Sequence, residues 1–163
     1  MEYASVRLET IGVIRSPHVD PAGMPIQPSA AVGVQGRIEL DPRFEAGLRD
    51  IDGFSHLWLL YWLHQVKSSQ LTVVPFLDRQ EHGIFATRAP PRPNPIGLSL
   101  VRLMRREGNC LLVENLDVLD GTPLLDIKPY VPAFDSTSDA RIGWFAGKLE
   151  DLGQARADAR FAR

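Results

Sequence analysis

Apolar and polar positions along this chain alternate with period two in several short runs, and the runs are separated by proline- and glycine-rich breaks. Thr10 to Arg15 reads as a first strand ending at Ser16-Pro17, and a long loop then runs to about Ala31. A second strand, Val32 to Leu40, stops at Asp41-Pro42, where Asp41 can cap and Pro42 can open a short helix through about Leu48. The segment FSHLWLLYWLH has an unbroken apolar, aromatic centre that suits a buried strand. Gly83 to Thr87, Ile96 to Arg105, Asn109 to Leu119 and Leu124 to Val131 complete the set, the last two separated by the turn sequence Asp120-Gly121-Thr122-Pro123. Six or seven strands without a repeated strand-helix alternation predict a mainly β chain, a compact barrel or sandwich.

From about Ser138 the pattern changes to alanine, arginine and acidic residues at helical spacing, interrupted by Gly143, Gly147 and Gly153. The expectation is a β domain over 1–137 and a helical tail over 138–163 that is not an independent domain.

Bulk properties narrow the picture. The 163 residues carry a formal net charge of -2, which argues against a protein that coats nucleic acid through many phosphate contacts. The one cysteine, Cys110, sits in an apolar run and reads as a small buried hydrophobe. The longest apolar run, Leu57 to Leu63, is far short of a membrane span of about 20 residues, and the N-terminus lacks the shape of a signal peptide. A soluble, cytoplasmic protein is expected.

Candidate chemistry concentrates at strand ends. The stretch RAPPRPNPIGLS, Arg88 to Ser99, holds four prolines, each fixing φ and pushing its predecessor toward extended geometry. A loop so stiffened presents Arg88, Arg92 and Asn94 at little further entropic cost. Gln27, His64-Gln65 and Asp120-Gly121-Thr122 are further polar groups at strand mouths. His18, His56, His64 and His82 lack metal-ligand spacing, so no metal is expected. Nucleophile-elbow, Walker and dinucleotide motifs are absent. Asp126 and Lys128 share one strand face and read as a surface ion pair. Trp58, Trp62 and Trp144 are expected in the core.

The segments IGVIRSP, DGFSHLWLLYWLHQ, GIFATRAPPRPNPIGLSLVRL and LDGTPLLDIKPYVP occur in that order, and together they resemble the TsaA/YaeB family, also called TrmO. The resemblance covers about residues 6 to 135. It implies a single β-barrel, which with the elements read along the chain gives a single compact β-barrel of six or seven strands with short helices and a C-terminal helical tail. It also implies S-adenosyl-L-methionine as cofactor, a homodimer, and N6-methylation of threonylcarbamoyl-adenosine next to the anticodon of tRNA. Carried over residue by residue, the cofactor contacts fall on Pro25, Ile26, Gln27, Pro28, His64, Gln65, Arg88, Leu98, Asp120, Gly121, Thr122 and Pro123. Ile26 is a departure, because family members often carry arginine there.

Asp126, Tyr130 and His64 are candidates to receive the proton that the methylated amine must lose. Arg102, Arg105, Arg106, Arg156, Arg160 and Arg163 are expected to align toward tRNA in a dimer. A cofactor-binding regulator without catalysis, or a methyltransferase for another acceptor, are the alternative readings.

Overall fold

The computed structural model describes residues 5–153 and 155–161. Strands β1 (Gly12–Arg15), β2 (Gln35–Leu40), β3 (His56–Trp62), β6 (Ile96–Glu107), β7 (Cys110–Glu114) and β8 (Thr122–Pro129) close a barrel in the order β1-β2-β7-β6-β3-β8. Every pairing is antiparallel. Two short strands, β4 (Thr72–Val73) and β5 (His82–Gly83), form a separate flap.

Closure leaves no free sheet edge in the barrel, and alternation along each strand fills the inside. In β3, Leu57, Leu59 and Tyr61 point inward and are buried, whereas Trp62 on the opposite face is 41% exposed. Ile14, Ile38, Val101, Leu111, Val113 and Leu124 complete the centre of the core.

One irregularity sets which β8 side chains face outward. Leu60 pairs with Asp126, but the next residue, Tyr61, pairs with Leu124, so Leu125 is an extra residue on β8. This bulge keeps Leu124 in the core and turns Asp126 outside, where it meets Lys128 at 2.9 Å.

Pro42–Leu48 forms the expected short helix, of 3-10 type, with the Asp41 carboxylate accepting from Arg43 N at 3.0 Å. Cys110 is buried, as expected. Three expectations need correction. The strand expected over Gly83 to Thr87 reduces to β5, because Ile84–Ala86 turns into a 3-10 helix. Its carbonyls are claimed locally: Thr87 Oγ1 and Arg92 Nη1 both donate to Ile84 O. The strand expected over Asn109 to Leu119 ends at Glu114, because Asn115 takes a left-handed φ of 66°. The tryptophans lie outside the buried core: Trp58 and Trp144 are only partly buried, and Trp62 is exposed.

The tail is helical only in single 3-10 turns, Gly143–Phe145, Leu149–Asp151 and Ala159–Phe161, beyond the four-residue helix α1 (Pro132–Asp135). Gly143 and Gly147 both have positive φ, which a continuous α-helix does not accommodate. The tail instead runs back across the barrel mouth. Ala157 exchanges backbone hydrogen bonds with Gly23 and Met24 at 2.8 Å, Phe161 packs edge-on against Phe76, and Trp144 Nε1 donates to Ala86 O at 2.8 Å.

Candidate functional site

A cavity of about 770 Å³ opens at one end of the barrel. The ends of β3, β6 and β8, the loop between β1 and β2, the proline loop before β6, and the tail all meet there. Antiparallel pairing puts the C-terminal end of β3 beside the N-terminal ends of β6 and β8. Residues distant in sequence thereby share one rim.

The wall contains Pro25, Ile26, Gln27, His64, Gln65, Arg88, Leu98 and Thr122. Arg88 Nη1 donates to Gln27 Oε1 at 3.0 Å, joining the proline loop to the β1–β2 loop. Arg92 lines the same cavity, and its Nη1 donates to Ile84 O at 3.1 Å and to Thr87 O at 2.9 Å, holding the loop's own backbone.

Pro28, Asp120, Gly121 and Pro123 stand behind this wall. Pro28 opens the 3-10 turn Pro28–Ala30, and Pro123 pairs with Val13 in the barrel seam. Asp120 Oδ1 accepts from Ser16 N at 3.0 Å, while Gly121, at φ 75°, donates to Ile14 O at 2.9 Å. Asp120, Gly121 and Pro123 fix the junction of β1 and β8, and none of the four is among the residues lining the cavity.

Of the three proton-acceptor candidates, only His64 lines the cavity. Asp126 is on the barrel's outer surface, and Tyr130 packs edge-on against His56 and Trp58 outside. Five of the six arginines expected to align toward tRNA in a dimer lie among the described residues. Arg102, Arg105 and Arg106 lie within 4 Å of Glu114, Glu107 and Glu45 respectively. Arg156 and Arg160 donate within the tail and to the Pro75 carbonyl. Arg163 lies outside the described residues.

The structure adds groups that pattern reasoning passed over. Asp117 lines the cavity, and its Oδ1 accepts from Ser99 Oγ at 2.6 Å. Ser99 is fully buried, and its Oγ lies 2.9 Å from the hydroxyl of Tyr61, a residue that also lines the cavity. Burial pushes the Asp117 carboxyl up to about 6, partly opposed by the Ser99 hydrogen bond and by Arg88. Burial likewise raises Tyr61 above the ordinary phenol range, so the phenol stays protonated at neutral pH. The available signal was a carboxylate between two buried apolar residues, Leu116 and Val118, just ahead of the Asp-Gly turn. Trp144 and Phe145, stacked 3.9 Å apart, are the tail's contribution to the wall.

A closed antiparallel barrel whose rim loops enclose a mixed polar and apolar cavity defines a small-molecule-binding β-barrel. Comparison with known proteins makes this specific: residues 13–136 match the tRNA-methyltransferase O N-terminal domain, and the chain belongs to that family. It is 52% identical over 151 residues to a probable S-adenosyl-L-methionine-binding protein of Pyrococcus abyssi, covering 93% of this chain and 82% of that protein. It is 39% identical over 147 residues to the tRNA (adenine(37)-N6)-methyltransferase of Escherichia coli, covering 84% of this chain and 63% of that enzyme. The crystal structure of TrmO from Pseudomonas aeruginosa superposes with a TM-score of 0.73 at 40% identity, over 86% of this chain and 63% of that one.

Proposed function

We propose that this protein binds S-adenosyl-L-methionine in the rim cavity and transfers its methyl group to N6 of threonylcarbamoyl-adenosine beside the tRNA anticodon. The observation that carries the proposal is the convergence of Gln27, His64, Gln65, Arg88, Leu98 and Thr122, from separate segments of the chain, on one cavity wall. The volume lies within the usual range of about 300–1,000 Å³ for ligand pockets.

The donor set suits the cofactor. Arg88 matches a carboxylate, Gln27 and Gln65 offer amide partners, and Ile26, Leu63 and Leu98 supply apolar surface for a purine. Bound there, the cofactor supplies a methyl group on a positively charged sulfur. The residues' task is to align that methyl with the incoming nitrogen and to keep water away. The Arg88–Gln27 bridge and the proline loop hold the wall in place before the acceptor arrives.

We further propose a cytoplasmic homodimer. Its support is an apolar face adjoining the cavity, where Trp62 pairs with Ile96 and Leu60 with Leu98, with Trp62, Ile96 and Leu98 between 38% and 45% exposed and the last two also lining the cavity wall.

The test is methylation of unfractionated tRNA from an Escherichia coli strain lacking its own tRNA (adenine(37)-N6)-methyltransferase, read by nucleoside mass spectrometry. A mass gain of one methyl on the threonylcarbamoyl nucleoside is expected. Cofactor binding by calorimetry without any such gain would favour the non-catalytic binder.

A further inference from the structure

Asp117 is a cavity carboxylate whose one hydrogen bond from another described residue comes from Ser99. Its second oxygen makes no hydrogen bond to any other described residue. Ser99 has one hydroxyl proton and donates it to Asp117, so the contact with Tyr61 runs the other way: Tyr61 donates to Ser99. The string Tyr61 to Ser99 to Asp117 is therefore directed, and it ends at the cavity. Its far end is fixed as well. A Cβ on Gly97 would stand 2.1 Å from the Tyr61 ring, so the tyrosine occupies space that only glycine leaves open.

The other charged or titratable groups of the wall are accounted for differently. Arg88 is bridged to Gln27, Arg92 to the carbonyls of Ile84 and Thr87, and Asp158 is paired with Arg160 at 2.7 Å. Lys67 is an exposed cation, and the exposed His64 ring has no hydrogen bond to a described residue that would fix its orientation. Of these groups, Asp117 alone is an acceptor held in one orientation by a buried donor.

Resting on the methyl-transfer reading above, we propose that Asp117 is the catalytic base, receiving the proton that the acceptor amine loses on methylation. The nitrogen lone pair forms the new N–C bond. The C–S bond breaks with its electron pair retained by sulfur, which becomes a neutral thioether, and the N–H proton passes to the Asp117 carboxylate. Ser99 and Tyr61 are positioning residues that aim the carboxylate and favour its ionised form.

The experiment measures single-turnover methylation of the same tRNA with saturating S-adenosyl-L-methionine from pH 5 to 8. Cofactor binding is measured separately by calorimetry, for the wild type, Asp117→Asn and Ser99→Ala. Asp117→Asn is expected to keep cofactor affinity within about threefold and to slow transfer roughly 10²- to 10⁴-fold. The wild-type rate is expected to rise with pH through an inflection near 6 that Asp117→Asn lacks. Ser99→Ala keeps the carboxylate but removes a bond that favours ionisation, so its inflection moves to higher pH. That shift carries the test even if Asp117→Asn folds poorly.

A wild-type rate in Asp117→Asn, or an inflection unmoved in Ser99→Ala, overturns the role. Loss of cofactor affinity in proportion to rate also overturns it, making Asp117 a cofactor contact. A wild type that methylates no tRNA at any pH overturns the methyl-transfer reading, and this role with it, in an arm that involves no variant.

Discussion

Gly97 shows how much a single residue can determine here. It faces inward on β6, opposite Tyr61, and the tyrosine ring fills the space a side chain would take. Gly97→Ala is expected to destabilise the protein by about 1–3 kcal/mol through overpacking. It should also displace the Tyr61 hydroxyl from Ser99, readable as a lower thermal midpoint together with a moved wild-type pH inflection. An unchanged midpoint would mean that the ring shifts without cost. At this scale much of the wall was legible: Arg88, Gln27, His64 and Gln65 announced themselves as polar groups at strand mouths. Asp117 and Ser99 did not, because their significance lies in a contact between β6 and the segment after β7, and that register cannot be read from local alternation. Asp126 and Tyr130 looked equally suitable in sequence, and the Leu125 bulge accounts for the outward placement of Asp126.

At the scale of elements, the proline loop and the tail behave differently. The loop is stiffened covalently and tied by Arg92 to its own carbonyls. The tail is held by a small charged and aromatic cluster: Asp78 accepts from His82 Nε2 at 2.9 Å and from Lys148, while Trp144 stacks on His82 at 4.5 Å. Lys148 first, then His82, hold the Asp78 carboxyl well below the usual carboxylate range. A group so depressed stabilises the folded form above its ordinary pKa, near 4, and that contribution is lost as pH falls below it. Acidification from pH 4 downward is therefore expected to release the tail before the barrel, with the Trp144 indole N–H resonance moving ahead of the core amides. Simultaneous movement would show that Asp78 does not govern docking. Asp78→Asn should show the released signal at neutral pH. The alanine- and arginine-rich spacing pointed to a longer helix here, but the positive φ of Gly143 and Gly147 and the tertiary anchors at Trp144 and Phe161 outweigh local propensity.

For the whole molecule, the six barrel strands and the mainly β class followed from short apolar runs and the absence of strand-helix alternation, whereas the short strand Thr72–Val73 did not. Closure did not, since it depends on β1 finding β8 across the intervening chain. The proposed dimer belongs to this scale: light scattering is expected to give twice the 18.2 kDa chain mass, and Trp62→Glu should return it to a monomer with its fold intact. A monomeric wild type would remove the dimer from the reading. The seam itself bears on how the chain is made. Gly12 pairs across with Leu124, and Ile11 N donates to Leu124 O at 2.9 Å, so a growing polypeptide cannot complete its barrel until β8 has left the ribosome. Until then β1 waits with one edge unpaired and β3 lacks a neighbour, a state that invites strand pairing between nascent chains on the same messenger. Late closure thus makes translation speed through the segment ahead of β8 a variable in the yield of folded protein.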